Sequence, residues 1–250
     1  MGITTEEIET VRKATILRDL KSSEFESVIQ FSQTTSIQDG AFFFLEGNPA
    51  DKGFILIEGK VKLEQVTSDG RQILLGYLVP GRVFGIIAIL KKVTYPVSAQ
   101  AVGTSKAIYW EQDTLNQLMK SYPIIALNAL HIMAGQIRQF QNQVKDLSTK
   151  RVEQRIARAI LRLARQSGKR TDEGVLIDLL LSRQDLAEMT GTTLYTVSRI
   201  LTDWEKGGLV KSYRQKIIIT YPHGLVTIAE DLPTQQTQES FVDIEDLCDL

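Results

Sequence analysis

Apolar positions along this chain change their period twice. From Gln38 to Trp110 they form short runs rich in β-branched and aromatic residues, FFFLEG, FILIEGKVKL and QILLGYLV, separated by Gly40, Gly47, Gly53, Gly59, Gly70, Gly76, Gly81 and Gly85. Glycine at such intervals marks turns, and Ser68-Asp69-Gly70 is a hairpin signal between two runs. The segment predicts a compact antiparallel barrel or sandwich with Phe54, Leu56, Val61, Leu63, Leu74 and Leu78 pointing inward. After Trp110 the period becomes helical, first from about Asp113 to Ser121, stopped by Pro123, then from about Ile124 to Leu147. On that long helix Leu127, Leu130, Ala134, Ile137, Gln141 and Val144 follow alternating steps of three and four, the seam of a coiled coil. The same helix could instead pack on its own barrel, and one this long can do both.

The helical period continues. RVEQRIARAILRLARQ, from Arg151 to Gln166, places Val152, Ile156, Ala159, Ile160 and Leu163 on a buried stripe, which leaves its arginines on a solvated face with incidental phosphate contacts. Ser182 to Leu209, SRQDLAEMTGTTLYTVSRILTDWEKGGL, then fits two short helices joined by a tight turn. Ser182 and Asp185 make a capping-box start, Gly191 supplies the left-handed residue such a turn requires, and small Ala187 lets the second helix come close. Val197, Ile200, Leu201 and Trp204 fall on one face of that second helix. Thr193, Leu194, Tyr195, Thr196, Ser198 and Arg199 supply its start and outer surface, free to read double-stranded DNA; an ordinary helical hairpin in a core is the plainer alternative. LVKSYRQKIIITYP alternates as a β-hairpin wing, from which Lys211, Arg214 or Lys216 could touch a backbone phosphate, and His223 just beyond it reads as a turn residue.

Charge separates the same segments. The chain of 250 residues is formally −1, yet Lys150 to Lys216 holds 14 basic and 8 acidic residues, a net of +6. Everything after Lys216 lacks Lys and Arg and carries seven acids. Basic charge around the helix pair is the footprint of phosphate binding, whereas the tail TQQTQESFVDIEDLCDL reads as a solvated or loosely docked end, with a regulatory or partner-contacting role as the alternative. Hydrophobic content of 43% suffices for two cores and a connector. No apolar run is long enough to span a bilayer, and the charged, helix-patterned N-terminus does not read as a signal peptide, so a cytoplasmic protein is expected. Cys248 is the single cysteine, which excludes an intramolecular disulfide and a four-cysteine zinc or iron–sulfur site within one chain.

In the order barrel, long helix, helix-turn-helix, the chain resembles the family of the cyclic-AMP receptor protein and the fumarate–nitrate reduction regulator (Crp/Fnr). The motifs that carry the resemblance are EGxxAxxxxxIxEGxVK at Glu46–Lys62, DGRQ at Asp69–Gln72, PGxxFG at Pro80–Gly85, and the helix-turn-helix. The resemblance implies an α+β fold: an N-terminal antiparallel β-roll effector domain with flanking helices (1–122), a dimerisation helix (123–149), a winged helix-turn-helix domain (150–228) and an acidic tail (229–250). It implies a homodimer on a palindromic operator, with RNA polymerase as a further partner, no enzyme activity and no membrane. Phosphate contacts fall by resemblance on Ser182, Arg183 and Gln184, and Arg199 matches the arginine that reaches a guanine edge, a job its fork suits. Leu194 and Tyr195 occupy two positions the family often gives to charged base-reading residues, so a different operator is expected, read through a thymine methyl or the Tyr195 hydroxyl.

The sensing segment departs further. Where cyclic-nucleotide-binding members hold a glutamate for the ribose and an arginine plus a small hydroxyl residue for the phosphate, this chain has Ile86, Pro96 and Val97. An ionised phosphate there would lack a cation, so cyclic AMP is not the expected effector, and the missing N-terminal cysteine cluster removes the iron–sulfur mechanism. Ile86, Ile87, Ile89, Leu90, Pro96 and Val97, facing Ile137 and Phe140, read instead as an apolar effector pocket. Haem sensing nitric oxide or carbon monoxide is one candidate, with His131 as the possible iron ligand; a packed or interfacial histidine is the plainer reading. Other small effectors, or control by abundance alone, remain open at this point. A cupin-type enzyme would need metal-ligating histidines in the barrel strands, and none lies between Gln38 and Trp110. An effector-independent architectural DNA binder is the remaining alternative.

Overall fold

The computed structural model describes residues 4–70 and 72–232. Arg71 of the DGRQ segment, Cys248 and the acidic tail from residue 233 onward lie outside the described residues. The chain forms two compact units that divide between Gln141 and Asn142.

In the first unit, α1 (Thr5–Arg12) opens on a capping box between Thr4 and Glu7 and is followed by α2 (Ser22–Gln30). Six strands then pair antiparallel: β1 (Gln33–Ile37), β2 (Phe42–Phe44), β3 (Lys52–Val66), β4 (Gln72–Leu78), β5 (Val83–Phe84) and β6 (Ser98–Glu111). Their order is β1-β6-β3-β4, with β2 on β6 and β5 on β3. Phe54, Ile55, Leu56 and Ile57 are consecutive and all buried. A strand covered on both faces loses the in-out alternation of a one-sided sheet, and here α1 and the 3-10 turn Ile86–Ile89 both pack on β3. Of the six expected inward residues, Phe54, Leu56, Val61 and Leu74 are buried, while Leu63 and Leu78 are half-buried. At Gly59 the β3–β6 register slips, φ is +78°, and a Cβ would lie 2.3 Å from Ser105 Oγ. The Ser105 hydroxyl needs that space: it donates to the Lys60 carbonyl at 2.8 Å and accepts from the Lys60 N–H at 3.1 Å.

After α3 (Gln112–Ser121), α4 (Pro123–Thr149) starts on proline, whose missing N–H costs nothing in a first helical turn. One face of α4 packs on the β-roll core through Ile125 and Ala129, with Ile124, Ile132 and Met133 half-buried beside them. Asn128 is buried there and donates to the carbonyls of Ile16 at 3.2 Å and Arg18 at 2.8 Å, tying the N-terminal segment to the helix. The other face carries the expected seam uncovered: Leu127, Leu130, Ile137 and Val144 are between 54% and 63% exposed. The packing reading of the long helix thus applies to its first face, and the second face is left exposed.

The second unit contains α5 (Val152–Ser167), β7 (Gly168–Thr171), β8 (Gly174–Ile177), α6 (Arg183–Thr190), α7 (Leu194–Lys206), β9 (Val210–Tyr213), β10 (Lys216–Ile219) and α8 (Pro222–Glu230). Its sheet runs β7-β8-β10-β9, so the wing hairpin β9–β10 is extended by a second hairpin absent from the sequence reading. The expected stripe of α5 is buried at Ile156, Ala159, Ile160 and Leu163, and Ala157, Leu161 and Ala164 widen it. His223 corrects the sequence reading: it lies in the first turn of α8, just after Pro222, rather than in a turn.

Candidate nucleic-acid interface

The capping box predicted for α6 is present. The Asp185 N–H donates to Ser182 Oγ at 3.0 Å, and the Asp185 carboxylate accepts both the Ser182 N–H at 2.7 Å and its hydroxyl at 2.6 Å. The Ser182 hydroxyl proton is thereby committed to the cap. Gly191 closes α6 at φ +59°, ψ 47°, and Thr193 caps α7, its Oγ1 accepting the Thr196 N–H at 3.2 Å.

One face of α7 is core: Val197, Ile200, Leu201 and Trp204 are buried, and the Trp204 indole donates to Glu153 at 3.0 Å. Its other face is open. Tyr195 is 77% exposed and Leu194 48%. Arg199 is exposed and has no hydrogen-bond or ion-pair partner among the described residues. An uncommitted guanidinium beside a bare tyrosine and leucine is a surface with donors and apolar area to offer.

Ser182, Arg183, Gln184 and Leu194 meet wing residues Ser212, Tyr213, Arg214 and Gln215 around a groove of about 450 Å³ floored by Leu181, Leu201 and Ile217. Arg183 is half-buried and donates to Ser212 Oγ at 3.1 Å, which seats the wing against α6. Gln184 is exposed and donates to Glu188 at 2.9 Å. Of the three wing cations, Lys211 bonds Glu173 at 2.8 Å, and that hydrogen bond raises its pKa. Arg214 and Lys216 stay exposed without a partner among the described residues. Tyr213 and Gln215 were missed from sequence; their only signal was adjacency to the wing turn.

Arg155 and Arg158 of α5 correct the solvated-face reading, whereas Arg165 stays exposed. Arg155 donates to three main-chain carbonyls. Arg158 bonds Asp146 at 3.0 Å and also Glu230, while Arg151 bonds Asp231 at 2.6 Å. Burial lowers the pKa of Arg162 beside them, with Asp146 opposing that effect. Glu230, the last residue of α8, is half-buried in its ion pair with Arg158, whereas the Arg151–Asp231 pair lies on the surface.

In the β-roll, Ile86 is buried, and Ile87, Ile89 and Val97 are half-buried against the same core. Leu90 and Pro96 are exposed, as are Ile137 and Phe140, which stand on α4 beyond Met133 and outside that core cluster. Pro96 has no N–H, and its carbonyl accepts from the Gln65 amide at 2.8 Å. Nearby Tyr95 stacks on Phe44 with ring centroids 3.8 Å apart. Its hydroxyl donates to the Lys52 carbonyl at 2.7 Å and accepts the Lys52 N–H at 3.0 Å, and burial pushes its pKa up to about 12. His131 is exposed on α4 beside exposed Leu130.

A cyclic nucleotide-binding domain model matches residues 34–122, and a Crp-like helix-turn-helix domain model matches residues 154–228. The chain belongs to the Crp/Fnr family. It is 26% identical over 212 residues to the CRP-like cAMP-activated global transcriptional regulator of Mycobacterium tuberculosis, covering 85% of this chain and 95% of that one. It is 27% identical over 215 residues to the global nitrogen regulator of Synechocystis sp., covering 85% and 93%. FixK2 from Bradyrhizobium japonicum shares the fold, with a TM-score of 0.69 at 22% identity over 82% of this chain and 99% of its own. This Crp/Fnr chain is therefore a transcription regulator with a helix-turn-helix DNA-binding domain and a cyclic nucleotide-binding-like domain, and its family consists of regulators rather than enzymes. No helix among the described residues is long and apolar enough to cross a membrane.

Proposed function

We propose that this Crp/Fnr regulator acts as a homodimer on a palindromic operator, each α7 entering a major groove. Leu194, Tyr195 and Arg199 would face base edges, and Arg183, Gln184, Arg214 and Lys216 would lie along the backbone. The observation that carries this reading is the division of α7 into a buried face and an exposed face whose arginine has no partner among the described residues. A single reading head covers one half-site, and the uncovered apolar seam on α4 supplies the surface on which two copies would join.

The effector in this reading is not a cyclic nucleotide. The side chains of Ile86 and Val97 offer no polar group to a ribose or phosphate, Pro96 lacks an N–H, and its carbonyl accepts from Gln65. A small apolar ligand that binds one of two dimer geometries more tightly would shift the population between them.

Selection of the full chain on random duplexes, followed by titration of the winning palindrome against mixed DNA, tests this function. The expected outcome is a two-fold symmetric consensus bound on the order of 10³-fold or more tightly than mixed DNA. Weak preference with steep salt dependence would make the protein an architectural binder instead. Equilibrium dialysis with cyclic AMP is expected to give no saturable binding, and stoichiometric binding would overturn the effector assignment.

A further inference from the structure

Arg155 sits at the start of α5 and directs its guanidinium at main-chain carbonyls only. Its Nε donates to the Thr190 carbonyl at 2.9 Å, Nη2 to the Gly191 carbonyl at 3.3 Å and Nη1 to the Lys150 carbonyl at 3.1 Å. Thr190 and Gly191 end α6, and Lys150 follows the end of α4. The last carbonyls of a helix lack intrahelical partners and carry the negative end of its dipole, so one planar cation here closes two helix ends together. Two further contacts fix the same turn of α4. Leu147 abuts Gly191, and Arg158 bridges Asp146 to Glu230 of α8. Gly191 lies only two residues before Thr193, the cap of the reading helix.

We infer that Arg155 is a positioning residue for operator recognition: by bonding the end of α4 to the turn before α7, it fixes the reading helix relative to the end of the dimer seam and so sets the half-site spacing the dimer accepts. The inference rests on the dimeric reading proposed above. Moving one half-site by one base pair turns it by about 35° around the duplex, so a rigid pair of heads tolerates no such change and a loosened pair does.

The test uses the full chain, its selected palindrome, the same palindrome lengthened or shortened by one base pair at its centre, and a single half-site. Wild type is expected to lose about tenfold or more in affinity on either spacing change. Arg155→Met should bind the single half-site within about twofold of wild type, yet discriminate between spacings by only about twofold. Arg155→Lys restores the charge without the fork and should fall between. If Arg155→Met does not fold, Leu147→Ala, which removes the other link to Gly191, should loosen spacing in the same sense. A folded Arg155→Met that keeps the wild-type spacing preference overturns the assignment alone. So does one that loses half-site and palindrome affinity in equal proportion, because Arg155 would then merely hold the domain together. Wild type indifferent to spacing overturns the dimeric reading, and this assignment with it.

Discussion

Gly191 and Leu147 meet where the reading domain turns: a Cβ on Gly191 would stand 3.0 Å from Leu147 Cδ2, and the glycine is at φ +59°. Two separate constraints therefore fall on one position, a left-handed backbone and a side chain arriving from the last turn of α4. Leu147 can give way by rotating; the backbone cannot without opening the turn. Gly191→Ala is expected to destabilise the second unit by about 1–2 kcal/mol and to weaken DNA binding with it. Thermal melts followed at Trp204 check this. Gly76→Ala, whose added methyl meets nothing within 4 Å, serves as the control that should stay near wild type.

Arg199 and Arg183 should separate cleanly in a binding assay, since one guanidinium is exposed without a partner among the described residues and the other is half-buried against Ser212. Arg199→Ala is expected to lose discrimination at one base pair per half-site, costing about 1–3 kcal/mol there, while leaving mixed-sequence affinity nearly intact. Arg183→Ala should weaken all sequences alike and reduce the salt slope by about one. Titration of single-base operator variants at two salt concentrations distinguishes the two, and an unchanged base preference in Arg199→Ala would mean that α7 is not placed as argued.

What could be read from sequence was what is local. Ser182, Asp185 and Gly191 announce α6 and its turn because a cap and a left-handed residue act within a few positions, and the 3-4 spacing of Leu127 to Val144 announces a helix face wherever it goes. The β7–β8 hairpin was illegible because GKRTDEGVLI carries little alternation of its own; it is held by pairing of Val175 and Leu176 with Ile219 and Ile218. The Arg155–Thr190 bond and the Arg158–Glu230 pair span 35 and 72 residues in sequence, respectively, so no periodicity marks those arginines as structural. Pro222 was a legible signal of the start of α8 that the turn-like YPHGL obscured.

Glu7 gives the first unit a defined acid limb. Burial acts to raise its pKa, but the Lys106 ammonium and the Thr4 N–H and hydroxyl outweigh burial and hold it below its ordinary value of 4.5. A carboxylate whose folded pKa is depressed stabilises the fold fully above its unfolded pKa, and that contribution disappears as pH falls through the folded value. Stability is therefore expected to decline below about pH 4.5. In Glu7→Gln it should be lower at neutral pH and flatter over that acid range. Urea titrations followed at buried Trp110, in a Trp204→Phe background, report the first unit; an identical acid slope in Glu7→Gln would remove Glu7 from the account.

In the proposed dimer, the seam on α4 would make opposite demands at two neighbouring positions. Ile137 is 57% exposed in one chain and falls on the apolar stripe, so a charge there would face its own copy across a parallel pair. Ile137→Glu is expected to convert the dimer to monomer at micromolar concentration and to abolish palindrome binding, while melting of the β-roll unit stays within about 0.5 kcal/mol because the side chain touches no core. Gln141 is the polar member of the same stripe, and a polar residue at a single seam position trades stability for register. Gln141→Leu should therefore tighten the dimer. Sedimentation equilibrium over a concentration series checks both, and if neither substitution moves the monomer–dimer constant, the two copies join through some other surface.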